Sequence, residues 1–217
     1  MKIGVLAGTK KDTMMGVNIL KKNNYTNLEV IENTKTPSEQ TLFQISSEEY
    51  KEKIISEHIE HLKGKDCRNL FVYCNSLSAA VDFDKLAKKY DINIVTPLHV
   101  YKNLAKNVKN VVILTANAQG LSGIEKVMFE ANENINIIGI TLLDMVKDIE
   151  LGLDPILISE KFNFNVLAKY INSLEIEKVI LGCTHFPYIL DNLTGKLTKN
   201  IEVVDPSSHM LSLIGEK

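Results

Sequence analysis

Apolar residues in this chain gather in short runs, with longer amphipathic stretches between them. The runs fall at residues 3–6, 28–31, 70–73, 92–95, 111–114, 135–140, 179–181 and 201–204, and they are rich in Val, Ile and Leu. Each has the length of a strand and is too short for a buried helix. Between the runs the apolar period becomes helical, which is the pattern of βα units wound around a parallel sheet. The clearest helix covers residues 47–63. Ile54, Ile55, His58, Ile59 and Leu62 form its inward stripe, Ser46 or Ser47 caps it, and Glu48 and Glu49 sit where the helix dipole favours negative charge. Residues 84–90, 98–107, 123–131 and 164–173 read as further helices, and 33–39 and 144–154 as loops.

Two of the runs end alike. Val72-Tyr73-Cys74-Asn75-Ser76 in the first half matches Leu181-Gly182-Cys183-Thr184-His185 in the second, and the two cysteines lie 109 positions apart, half the length of the 217-residue chain. The halves also open alike, with Val5-Leu6-Ala7-Gly8-Thr9 and Val112-Ile113-Leu114-Thr115-Ala116; Thr9 precedes Cys74 by 65 positions and Thr115 precedes Cys183 by 68. Each half therefore brings one early loop and one cysteine to the same edge of its sheet. That edge is the carboxyl end of the strands, where open parallel sheets bind ligands. The expected organisation is one α/β domain from residues 1–97 plus 205–217 and a second from 98–204. The chain crosses near Thr96-Pro97, with the active site expected between the domains.

Composition narrows the class. Hydrophobic content of 45%, charge content of 24% and a net charge of −2 describe a globular domain with no general attraction to nucleic acid or anionic membrane. The apolar start, Met1 to Gly8, is too short for a signal peptide and reads as a first strand, and no stretch approaches a membrane span. Three cysteines, Cys67, Cys74 and Cys183, with no Cys-x-x-Cys pair, suggest free thiols in a reducing, cytoplasmic setting rather than a disulfide framework.

The chemistry then rests on Cys74 and Cys183. Two thiols facing one substrate can take a proton from one face of a carbon and return one to the other, which is racemisation without a cofactor. A following helix start lowers a thiol pKa, and Ser76 or Ser78 after Cys74, and Pro187 after Cys183, suit such starts. His185 lies two residues beyond Cys183 and can support its ionisation or protonate a developing carboxylate. Cys67 precedes its strand and reads as a buried hydrophobe. His58 and His61 read as a packing or solvated face. Zinc on Cys74, Cys183 and His185 is set aside because no ligands come in close pairs. The sole arginine, Arg68, lies at the wrong end of its strand to grip a substrate. A carboxylate is then left to backbone N–H groups, to Asn75, Ser76, Thr184 and Thr9, or to a lysine, with Gly8 permitting close approach.

These motifs resemble a known pair. Cys74-Asn75-Ser76 with Gly182-Cys183-Thr184-His185-Phe186-Pro187 is similar to the two cysteine motifs of the aspartate/glutamate racemase superfamily, the second being especially like that of glutamate racemases. Thr34-Lys35-Thr36-Pro37-Ser38-Glu39 resembles the family's loop before its second long helix, and Val203-Val204-Asp205-Pro206-Ser207 the strand after the second motif. The resemblance implies two similar three-layer α/β/α domains with mainly parallel sheets related by pseudo-twofold symmetry. It also implies a small acidic amino acid, glutamate or aspartate, as substrate, and no pyridoxal phosphate, metal or nucleotide. By it, Cys74 attacks the D-enantiomer and Cys183 the L-enantiomer, and Pro37 and Thr115 join the substrate-binding candidates. A homodimer is compatible with it, and a D-glutamate product would feed peptidoglycan synthesis. Ala7-Gly8 stands where glutamate racemases carry Asp-Ser, Pro37-Ser38-Glu39 where they carry Pro-Tyr-Gly, and the tail after Cys183 is short for them. Rival readings are a superfamily decarboxylase or cis–trans isomerase, and a non-catalytic thiol or ligand-binding relative.

Overall fold

In the computed structural model, which describes residues 1–214, each apolar run of the sequence contains a strand. The first sheet holds β1 (Ile3–Ala7), β2 (Leu28–Glu32), β3 (Asn69–Val72) and β4 (Asn93–Val95) in the order β2-β1-β3-β4. The second holds β5 (Asn110–Thr115), β6 (Asn136–Thr141), β7 (Lys178–Leu181) and β8 (Glu202–Val204) in the order β6-β5-β7-β8. All neighbours are parallel, with Leu6 opposite Val72 in the first sheet and Leu114 opposite Leu181 in the second. The two sheets thus share one topology.

Parallel pairing explains the strand sequences. The inner strands β1 and β3 are buried at every position, as are β5 and β7 beyond their first residues. Strands covered on both faces need continuous apolar runs, whereas the edge strands β2 and β6 alternate with exposed residues. Fully burying each Val, Ile or Leu of an inner strand contributes roughly 1.5–3 kcal/mol.

The chain divides into two compact units, Met1–Val100 with the segment that starts at Pro206, and Tyr101–Asp205. Helices α1 (Lys10–Lys22), α2 (Pro37–Gln44), α3 (Glu48–Gly64), α4 (Asn75–Ala80) and α5 (Phe83–Tyr90) lie in the first unit, and α6 (Pro97–Ala105) carries the chain into the second. There follow α7 (Ala118–Ala131), α8 (Leu143–Glu150), α9 (Pro155–Lys161), α10 (Phe164–Asn172) and α11 (Leu190–Thr194). The last helix, α12 (Ser207–Ile214), returns to the first unit, where Met210 and Ile214 join the core and Ser207 Oγ lies 3.2 Å from Tyr73 Oη.

Two expected loops are partly helical. Residues 144–154 were expected to be irregular, yet α8 occupies Leu143–Glu150. Met145, Val146 and Ile149 bury one face at helical spacing, an Asp144–Lys147 pair spans one turn, and Gly152 at φ 77° follows its end. In residues 33–39, α2 begins at Pro37: Thr36 caps it, its Oγ1 accepting from Glu39 N at 3.1 Å, and Pro37 takes the first helical position. Ser47, not Ser46, caps α3 through Tyr50 N at 3.2 Å.

Close packing of α1 on β3 sets a testable limit. A Cβ on Gly16 would sit 2.8 Å from Tyr73 Cβ, an atom fixed to the backbone beside Cys74, whereas a Cβ on Gly64 meets nothing within 4 Å. Gly16→Ala should therefore destabilise the first unit by about 1–3 kcal/mol despite the gain in helix propensity. Gly64→Ala should be neutral or stabilising by up to ~1 kcal/mol. Urea unfolding midpoints of the two variants check both signs.

Candidate active site

The strand order places two loops side by side in each unit. After β1 the chain turns to β2 on one side, and it later crosses to β3 on the other, so the loops after β1 and β3 leave adjacent strands. Such a switch point at the carboxyl ends of parallel strands is where a crevice opens. Gly8 and Thr9 follow β1, and Cys74 follows β3. In the second unit Thr115 ends β5, and Gly182 and Cys183 follow β7.

Cys74 occupies the cap position of α4, in extended backbone, with its carbonyl accepting from Ser78 N at 3.0 Å and from Ser78 Oγ at 2.7 Å. Its thiol, 5% exposed, thus leaves the chain at the start of the helix, where the N–H groups of the first turn favour negative charge. Ser76 Oγ lies 3.6 Å from Cys74 Sγ and accepts from Gln44 Nε2 at 2.8 Å, which ties α2 to the thiol's surroundings. Asn75, the first residue of α4, is buried beside them.

Gly8 supports the other wall. A Cβ there would stand 3.2 Å from Gln40 Cγ and Cδ and 3.3 Å from Cys74 Sγ, so the missing side chain is what lets Gln40 and the thiol approach the loop. The Gly8 carbonyl accepts from Thr34 N and Thr34 Oγ1, both at 2.8 Å, binding the segment before α2 to the first loop. Thr9 caps α1, its Oγ1 accepting from Asp12 N at 3.3 Å, and Asp12 Oδ2 accepts from Gly8 N at 3.3 Å. Thr9 therefore has a structural role as a helix cap. Asp12 places a buried carboxylate by this loop, one turn beyond Ala7. Pro37 opens α2, and the helix reaches Gly8 through Gln40.

Cys183 has a different environment. Its Sγ lies 3.7 Å from His185 Nδ1, and His185 Nε2 lies 2.7 Å from Glu150 Oε1, the last residue of α8. The side chains of His185 and Glu150 are 6% and 18% exposed. A carboxylate on one ring nitrogen fixes the tautomer and orientation of the imidazole, so the other nitrogen faces the thiol. Thr184 is buried next to the thiol, and the backbone turns at once, Phe186 N donating to the Cys183 carbonyl at 3.0 Å. Thr115 is fully buried, and its Cγ2 would meet a Cβ on Gly182 at 2.8 Å, so it packs directly against the residue before the thiol. Glu150, Gln40 and Gln44 were not anticipated as site residues; each sits on a helix end or start whose position depends on tertiary packing.

Other candidates fall elsewhere. Cys67 lies before β3, at the opposite end of that strand from Cys74, and burial pushes its thiol pKa up. His58 is partly buried on α3, and burial holds its pKa below the usual value. Among the described residues no group of three or more His, Cys, Asp or Glu side chains is arranged to hold a metal ion. No helix among them is long and apolar enough to cross a membrane.

No protein-family model matches the chain. It is 28% identical to a glutamate racemase of Clostridium botulinum over 151 residues, which are 68% of this chain and 58% of that protein. The chain spans less than two thirds of the length of the curated relatives it matches. A Francisella tularensis glutamate racemase solved with D-glutamate superposes on 99% of this chain and 81% of its own, with a TM-score of 0.75 at 20% identity. An aspartate racemase homologue from Pyrococcus horikoshii covers 99% of this chain and 97% of its own, with a TM-score of 0.68 at 19% identity. In sequence and in fold the chain is thus similar to proteins of the aspartate/glutamate racemase superfamily. The likeness to these solved structures carries the α/β fold alone; the roles of the side chains rest on the geometry above.

The contact of Glu150 with His185 can be read without any assay of turnover. Glu150→Gln removes the anion that orients the ring, so His185 should accept the Cys183 proton less often. Alkylation of Cys183 by iodoacetamide should slow several-fold, with Cys74 unaffected. Peptide mapping by mass spectrometry over time gives both rates from one sample.

Proposed function

We propose that this chain racemises an acidic amino acid, glutamate or aspartate, without a cofactor, by proton transfer between two cysteines. One observation carries the reading: a thiol stands at the same switch-point position of two sheets with identical strand order, after β3 and after β7. Glutamate racemases among the sequence relatives, and a structural neighbour solved with D-glutamate, support the substrate class.

In this mechanism Cys74 as thiolate removes the α-proton of the D-enantiomer, and the C–H electron pair passes into the α-carboxylate to give an enediolate-like carbanion. The thiol of Cys183 then donates its proton to the opposite face, leaving the L-enantiomer and a thiolate at Cys183. The reverse direction exchanges the roles, and no electron leaves the system. One thiol must be ionised and the other protonated at the start of each turnover, because two thiolates in one closed site repel. Gly8, Asn75, Ser76 and Thr184 hold the α-carboxylate and amino groups through N–H groups, hydroxyls and the amide, and His185 assists Cys183.

Exchange of the α-proton with deuterated solvent tests the reaction class. The wild type should incorporate deuterium into glutamate or aspartate and into no basic or aromatic amino acid. Cys74→Ser and Cys183→Ser should each lower racemisation by about 10³-fold or more with the fold intact, since a hydroxyl is a far poorer acid or base than a thiol. Near-normal turnover by either variant rules out the two-base mechanism.

The helpers of the two thiols differ, and this makes a second, directional prediction. His185 stands 3.7 Å from Cys183, whereas Cys74 has Ser76 at 3.6 Å. For His185→Asn, kcat should fall more in the L→D direction, where Cys183 is the base, than in D→L. The equilibrium constant between enantiomers is unity, so kcat/KM must fall by one common factor and KM must compensate. Initial rates at saturation from each pure enantiomer decide it; equal losses of kcat assign His185 to binding or structure.

A further inference from the structure

Gln40 is the fourth residue of α2 and is 5% exposed. Its Oε1 accepts from Asn33 Nδ2 at 3.1 Å and lies 3.1 Å from Thr34 Oγ1, whose single proton is directed to the Gly8 carbonyl at 2.8 Å. Its Cγ and Cδ lie against Gly8, on the same side as Cys74 Sγ: both side chains come within 3.3 Å of the point a Gly8 Cβ would occupy. The other end of the carboxamide, Nε2, is buried with no hydrogen-bond partner in the protein. The bond from Asn33 to Oε1 and the packing of Cγ and Cδ on Gly8 hold the amide, and its buried NH2 group has no acceptor within the protein. A side chain needed only to receive Asn33 has no use for that second donor.

We propose that Gln40 is a specificity-determining residue whose Nε2 donates a hydrogen bond to the side-chain carboxylate of the amino acid bound at Cys74. The inference rests on the racemase reading for the identity of the substrate. The charge pattern supports it. The sole arginine, Arg68, is exposed and precedes β3, at the end of the strand away from Cys74. With no arginine at that end of the strand, a neutral donor such as the Gln40 amide is suited to the distal carboxylate. A neutral amide next to Cys74 binds a carboxylate without adding a cation that would bias the thiol toward its ionised form. It carries a consequence for selectivity. An NH2 donor accepts a carboxylate oxygen or an amide carbonyl oxygen, whereas a carboxylate in its place repels the first and accepts the N–H of the second.

Gln40→Glu isolates the point, because it keeps the oxygen that serves Asn33 and replaces only the unpaired NH2. With glutamate and aspartate its KM should rise about tenfold or more while kcat changes by less than about threefold. The preference for acidic over amide substrates, glutamate over glutamine and aspartate over asparagine, should drop by about tenfold or more. Gln40→Met, which has neither donor nor charge, should raise KM without moving that preference toward amides, and it stands alone if the glutamate variant fails to fold by circular dichroism. Calorimetric titration of D- and L-glutamate into wild type and variants separates the two readings. Glutamate binding lost in the variants of a protein that exchanges no α-proton keeps the role of Gln40 and removes the racemase. Exchange with unchanged KM and unchanged preference in both variants removes Gln40 and keeps the racemase. A wild type that neither binds nor exchanges removes both.

Discussion

Everything at the two thiols depends on the way a parallel sheet must be wound. Parallel neighbours need crossover connections, and these run in one hand, so a chain that starts in the middle of a sheet must fill one side and then the other. With the orders β2-β1-β3-β4 and β6-β5-β7-β8, the change of direction falls between β1 and β3 and between β5 and β7. The loops leaving those central strands diverge, and the end of β3 or β7 is where open parallel sheets place a crevice. Cys74 and Cys183 stand at those ends. The inner strands can be wholly apolar because their polar groups pair with neighbours on both sides; chemistry begins where the pairing stops.

From that shared position the two sites diverge by local means. Cys74 is the cap of a short helix, with Ser76 and the Gln44 amide in a chain beyond its sulfur. The second thiol instead leads into a turn, so no regular helix begins at it, and its polar chain runs through His185 to Glu150. A helix start acts on a thiol through fixed dipoles and holds no proton of its own. An imidazole backed by a carboxylate can store one. The same fold therefore offers one thiol a fixed field and the other a titratable ring, an asymmetry that strand order alone would not produce.

How much of this was legible in the chain follows the same division. The strands were readable because a doubly covered strand admits little except Val, Ile and Leu, and the cysteines because they end such runs at matching places. Helix α1 escaped notice: of its thirteen residues only Asp12, Thr13, Gly16, Val17 and Leu20 are buried, and three of those are polar or lack a side chain. Helix α8 read as a loop because its apolar stripe is only Met145, Val146 and Ile149 among charges. That misreading concealed Glu150, which reaches His185 from 35 positions away. Gln40 and Gln44 are four residues apart on a helix whose start looked irregular, and their partners lie at Asn33, Thr34 and Ser76. Contacts of this kind arise from where elements pack, and one-dimensional periodicity does not encode them.

The buried polar residues make the final point. Asp12, Gln40, Gln44, Asn75, Thr184 and His185 are all buried at or near the two switch points, although the sheet core needs none of them. Burying an amide or hydroxyl without full pairing costs about 1–3 kcal/mol, a noticeable share of the stability of a small domain. Several of these groups offset that cost by fixing one another, as Thr9 and Asp12 do at the start of α1. Apolar residues of similar size would offset it more simply, by burial alone. A fold selected only for stability would therefore have lost the polar cluster and kept the strands. Its presence at the edge of each sheet, against the local preference for apolar packing, is the departure from local rules that a functional site would show.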